Sequence, residues 1–208
     1  MPREVIDLFP TPVVRYEGFF EPAIIATLVE TFVPGARVQN ALSADLSHTA
    51  LVSPNAHPVL PRISQMIASP LADFGELIFG ERLMWSIKEM WVNRLETGGR
   101  QALHNHANSF ASGIIYLSAC DPSANTVFAK SPGGHDFVLN NTNARSRLGP
   151  YNAGKWVSPD PNPGDLILFP SYLLHEVPIN RGGRRISMAF NAIPDRLDSW
   201  GYTLRLSP

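Results

Sequence analysis

His104 and His106 stand two residues apart in LHNHANSFASGIIYLSAC, just ahead of an apolar run that reads as a strand. On an extended chain, residues i and i+2 point to one face. The two imidazoles would then stand side by side, with Asn105 facing away. That geometry suits a metal ion, whose bonds to imidazole nitrogen are about 2.0–2.1 Å. The other histidines ahead of His175, namely His48, His57 and His135, have no such neighbour and read as surface or hydrogen-bonded residues. A His-x-His pair also arises by chance, so a third ligand is needed.

His175 offers it, in GDLILFPSYLLHEVPINRGGRRISMAFNA. A turn at Pro163-Gly164 leads into an apolar strand, and His175 sits on a second strand beyond Pro170. A hairpin at Asn180 to Gly183 would place Arg185 and Ser187 on the strand antiparallel to that of His175, both on one face. Arg185 lies amid apolar residues, where an unpaired charge is costly. A buried arginine wants an anion, and its planar fork suits a carboxylate. A plain hairpin with a satisfied histidine and a surface arginine leaves that placement unexplained.

The elements that must position these groups follow from pattern. The chain has 208 residues, enough for one domain with a sizeable core, and carries 44% hydrophobic residues and a net charge of −1. Scattered Lys and Arg argue against nucleic acid as a partner. One cysteine, Cys120, excludes an intrachain disulfide and a multi-cysteine zinc site. The start, MPREVIDLFP, lacks the apolar core of a signal peptide. No apolar run approaches a membrane span, so a cytoplasmic protein without membrane contact is expected. EPAIIATLVETF reads as a helix, and PVLPRISQMIASPLADFGELIFG as one or two more, broken near Pro70. From RLMWSIKEMWVNRLETGG the period becomes that of strands, with Trp85, Ile87, Trp91 and Leu95 on one face. Helices first and many short strands after them suggest a β-sandwich or barrel with helices packed outside. Residues 1–82 form the strand and helical part of a single domain 1–208, and residues 83–208 its β core. Residues 129–154 make a long loop, read either as a lid over a site or as a surface insertion.

In order, His-x-His, a Tyr-Leu strand, GDLILFP, His175 and Arg-x-Ser ten residues on resemble the Fe(II)- and 2-oxoglutarate-dependent oxygenases. Within them, FPTPV, HNHANSFASGIIYL and FPSYLLHEVPIN look like a largely uncharacterised bacterial and phage group. The resemblance covers residues 85–193 well and the earlier part loosely. It implies a β-rich (α+β) chain with a double-stranded β-helix core, the jelly roll shared with cupins, and N-terminal helices outside. It implies Fe(II) and 2-oxoglutarate as cofactors, O2 as co-substrate, and oxidation of a small-molecule or peptide substrate with release of succinate and CO2. His104 and His175 take the place of the two histidine ligands. Arg185, assisted by Ser187 and Tyr116, takes that of the group binding the far carboxylate of 2-oxoglutarate.

The chain departs from that family at His106, which stands where an Asp or Glu completes the facial triad. His106 is then a third neutral ligand, the reading favoured here, or lies behind a metal-bound water. Otherwise the register shifts, with His106 first and Asn108 in the carboxylate's place. Asn108 and Asn93 are candidates for supporting groups around the ligands. Two other functions stay open: a three-histidine cupin-type enzyme working without 2-oxoglutarate, and a non-catalytic cupin-like binding module. The sequence does not decide between a monomer and a homodimer.

Overall fold

The computed structural model describes residues 4–130 and 143–207. Residues 131–142 of the loop read as a lid, His135 among them, fall outside the described residues.

Two β-sheets face one another. The larger has seven strands in the order β1 (Val14–Tyr16), β9 (Leu166–Pro170), β6 (Ala111–Tyr116), β11 (Arg185–Pro194), β4 (Trp85–Leu95), β3 (Leu46–His48) and β2 (Val38–Gln39). The smaller has four: β5 (Gln101–His104), β10 (Leu174–Val177), β7 (Val127–Ala129) and β8 (Lys155–Val157). A separate hairpin pairs β12 (Arg196–Ser199) with β13 (Tyr202–Arg205). Every ladder is antiparallel. This is the jelly-roll double-stranded β-helix, as expected from the resemblance.

Strand alternation divides the large sheet's residues between two environments. Met90, Val92, Ile115, Leu166, Leu168, Met188 and Phe190 point outward, into a cluster built with α1 (Pro22–Phe32) and α2 (Val59–Phe79). Ile114, Tyr116, Ile167 and Phe169 point inward and meet Phe128 of the small sheet. Residues buried on both faces explain why β6 and β9 read as continuous apolar runs. Among the described residues, no helix is long and apolar enough to cross a membrane.

Three expectations are corrected. First, α2 runs unbroken through Pro70. The cost of a proline inside a helix is about 3 kcal/mol, and the buried stripe Leu60, Ile63, Ile67, Leu71 and Phe74 on either side of it offsets that. Second, Trp85 and Ile87 do not share a face with Trp91 and Leu95. The ladder skips Lys88, pairing Asn191 with Glu89 but Ala192 with Ile87. This bulge turns Ile87 and Trp85 to the helices and leaves Glu89, Trp91, Asn93 and Leu95 facing inward. Third, β10 and β11 do not pair with each other. Asn180 exchanges main-chain hydrogen bonds with Gly98 and Gly99, and its side chain donates to the carbonyls of Glu96 and Gly183. The turn is thus stitched to the neighbouring one, and the chain crosses from the small sheet to the large.

The turn ahead of β9 is anchored by Asp165. Its buried carboxylate accepts from Arg15 (2.7 Å), from the main-chain N–H of Gly18 (2.8 Å) and from that of Asn162 (2.9 Å). Burial alone would raise its pKa, but these donors together hold it below the ordinary carboxylate value. A depressed carboxylate stabilises the fold above its unfolded pKa and loses that stabilisation as pH falls through the folded one. Asp165→Asn should therefore cost about 3 kcal/mol near pH 7, as breaking a buried pair does. The penalty should shrink below about pH 4. Denaturant unfolding of both proteins at the two pH values checks this.

Candidate metal centre

The inner face of the small sheet carries one row of rings. Register places His104 opposite His175, His175 opposite Phe128, and Phe128 opposite Trp156. His106 lies past the end of β5, so strand geometry does not place it. Its main-chain N–H donates to the carbonyl of Ser171 at 2.9 Å, between β9 and β10. That contact swings its ring 5.4 Å from His104 and 5.0 Å from His175, centroid to centroid.

One nitrogen from each of the three rings lies within 4.8 Å of the others. Three points that close fit within about 2.8 Å of a common centre, and slight ring rotation reaches the roughly 2.0–2.1 Å of a metal–nitrogen bond. The remaining nitrogens support this. Nδ1 of His104 donates to the carbonyl of Ala102 (2.8 Å) and Nδ1 of His175 to that of Leu173 (3.0 Å). Nδ1 of His106 reaches Asn191 Oδ1 and Ser112 Oγ, both at 2.8 Å. With each Nδ1 carrying the proton, all three Nε2 lone pairs are left for an ion. His104 Nε2 meanwhile accepts from the Gln101 amide (3.3 Å), a bond that an ion would displace.

Burial, and then repulsion from the neighbouring imidazoles, lower the pKa of His106 to about 4 and that of His175 to about 3. Burial also lowers that of His104. The rings are therefore neutral near pH 7, the form that binds metal.

The same cavity is lined by Arg185, Ser187, Thr126 and Asn93. Arg185 is 3% exposed and stands over the Tyr116 ring, 5.3 Å from its centroid. Its Nη1 donates to Ser187 Oγ (3.1 Å) and its Nη2 to Thr126 Oγ1 (3.2 Å). Nε has no partner, and among the described residues no carboxylate pairs with this guanidinium. Tyr116 Oη meets Thr126 Oγ1 at 2.9 Å. Burial raises the tyrosine pKa against the opposing pull of Arg185, so the hydroxyl keeps its proton. Arg185 and Ser187 thus converge as their spacing implied, and Tyr116, which the resemblance supplied, lies beside them, although Arg185 faces His175 from the opposite sheet and not from a paired strand.

Asn93 is buried in the cavity wall opposite Ser187. Asn108 is elsewhere: exposed, at φ +57°, with its carbonyl accepting from Lys88. The register-shifted reading has no support in that position. Among the nearby aromatics, Trp91 lines the cavity and packs edge-on against His106, centroids 5.3 Å apart. Trp85 and Phe110 instead gather around Phe79 at the end of α2. Thr126, Gln101, Ser112, Asn191 and Glu89 escaped sequence reading. Each matters through a partner on another strand, and a lone polar residue signals no partner.

A family model described as "Putative 2OG-Fe(II) oxygenase" matches residues 89–191, a span that holds every group named at the cavity. The chain belongs to the 2OG-Fe(II) oxygenase superfamily. No curated protein matches it. Solved structures agree on the fold. HygX from Streptomyces hygroscopicus, with nickel and 2-oxoglutarate bound, is 15% identical with a TM-score of 0.63, over 88% of this chain and 83% of that one. A 2OG-Fe(II) oxygenase family oxidoreductase from Burkholderia pseudomallei is 18% identical, TM-score 0.60, over 87% and 84%. The viral collagen prolyl hydroxylase vCPH of Paramecium Bursaria Chlorella virus-1, in its 2OG complex, is 15% identical, TM-score 0.57, over 86% and 94%.

Proposed function

We propose that this enzyme is an Fe(II)- and 2-oxoglutarate-dependent dioxygenase whose iron is held by His104, His106 and His175. The observation that carries this reading is a buried arginine that has no carboxylate partner among the described residues, in one cavity with three neutral imidazoles whose ring nitrogens converge. The donor set fits the metal, and the orphaned guanidinium fits the far carboxylate of the cosubstrate. When bound, iron and 2-oxoglutarate supply the activation of O2 that oxidises a substrate C–H bond, with release of succinate and CO2. The protein's own part is binding and exclusion of water. Arg185 and Ser187 would take the carboxylate, with Tyr116 and Thr126 holding the guanidinium in place. Trp91, Ile114 and Ala189 form an apolar wall of the cavity. The substrate class is a small molecule or a peptide. HygX was solved with hygromycin B, and the viral protein is a collagen prolyl hydroxylase, so the fold accommodates both.

Anaerobic titration with Fe(II) and then 2-oxoglutarate tests this. A weak metal-to-ligand charge-transfer band should appear only after the second addition, and succinate should form once O2 is admitted. Iron binding with neither band nor succinate would favour a three-histidine enzyme in which Arg185 holds a carboxylate of the substrate itself.

A further inference from the structure

His104 and His175 are each oriented by the main-chain carbonyl two residues back. His106 is oriented differently. Its Nδ1 meets Asn191 Oδ1, and Asn191 Nδ2 donates to Glu89 Oε1 at 2.8 Å. Glu89, Asn191 and Ser112 lie directly opposite one another on three adjacent strands. Asn191 and Ser112 are buried, and the bulge at Lys88 ends the inward-facing row at Glu89.

We infer that Glu89 is a positioning residue that acts through Asn191 to fix His106 as its Nδ1–H tautomer, with Nε2 presented to the metal. This rests on the three-histidine reading above. A carboxylate only accepts, so Glu89 obliges Asn191 to face it with its NH2 group. Asn191 Oδ1 must then face His106 and Ser112. The Ser112 hydroxyl donates to that oxygen at 2.9 Å, and the remaining acceptor direction takes the imidazole N–H. With the amide reversed, its oxygen would stand 2.8 Å from a carboxylate oxygen, and its NH2 would turn Nδ1 into an acceptor. The proton would move to Nε2 and block the ligand position. Lys88, 3.4 Å from Glu89, tempers the charge without offering Asn191 another acceptor. The carboxylate missing from position 106 is thus present two hydrogen bonds behind it.

Glu89→Gln is the test, because glutamine has the same shape but can offer either an oxygen or an NH2. Imidazole 15N correlation spectra of the metal-free protein should show His106 as Nδ1–H in the wild type and as a mixture with Nε2–H in the variant. Co(II), titrated anaerobically as a stand-in for iron, should bind the variant about tenfold more weakly, the lower end of what outer partners of metal ligands contribute. The melting temperature should change by only a few degrees. Asn191→Leu, which removes the connection entirely, should give at least the same loss. An unchanged His106 tautomer with wild-type Co(II) affinity in Glu89→Gln would overturn the inference while leaving the metal centre standing. Failure of the wild type itself to bind Co(II) would remove the metal centre and the inference together.

Discussion

Arg185→Lys should weaken 2-oxoglutarate binding about thirtyfold while iron uptake stays at the wild-type level. Lysine keeps the charge, but it presents a point donor where arginine presents a planar fork. Hydrogen bonds to a charged group contribute about 1.5–3 kcal/mol each, and each 1.4 kcal/mol is tenfold in affinity. With a single nitrogen, lysine could not keep both contacts, to Ser187 and to Thr126, that now aim the guanidinium. The charge-transfer band, titrated with 2-oxoglutarate, reads the affinity directly. Arg184 is the control: it is exposed and pairs with Glu96 at 3.0 Å, so Arg184→Ala should change little. Wild-type affinity and succinate yield in Arg185→Lys would disprove the cosubstrate assignment.

His175→Ala should bind iron at least about 100-fold more weakly, since losing a ligand costs no less than losing a group behind one. His175 is 4% exposed and central to the row of rings, and its removal also opens a gap against Phe169, whose ring centroid is 4.8 Å away. His106→Asp makes the more informative companion. By residue type alone it restores the familiar facial triad, and iron affinity should hold or rise. The surroundings of position 106 predict a loss instead. An aspartate oxygen there would face Asn191 Oδ1, which Glu89 prevents from turning away. The double change His106→Asp with Glu89→Gln frees the amide to donate, so it should bind iron more tightly than His106→Asp alone. Competition of the three variants against a chromophoric chelator measures this ordering, and equal affinities for the single and double variants would contradict it.

The parts of the site legible in the sequence were those announced by local spacing. His104 and His106 are two apart, Arg185 and Ser187 likewise, and an arginine inside an apolar strand signals an anion. Tyr116 was reached only through family resemblance. What escaped depends on register between strands far apart in the chain. The Glu89–Asn191 contact spans 102 residues, and Thr126 matters only because β7 faces β11 across the interior. The bulge at Lys88 has no Gly or Pro to mark it, and it reversed the assignment of Trp85 and Ile87. The crossing at Asn180 looked like a hairpin because its Asn and Gly residues suit one. The stitching to residues 96–99 that redirects it is invisible in a local window. Pro70 misled in the opposite direction, since a local rule predicted a break that the packing of α2 overrides.

The strand at the middle of the large sheet, β11, leaves the ribosome after the other six strands described in that sheet. It inserts between β6 and β4, both synthesised far earlier. Until it arrives, those two strands have an open edge each, and every residue of β6 and five of the eleven in β4 are ones that end up buried. Open apolar edges are templates for pairing with other chains. A stalled ribosome, or a nonsense mutation just before Arg185, would thus release a chain that holds all three histidines but has an empty slot in its sheet. Such a chain would be a client for chaperones before it could be an enzyme.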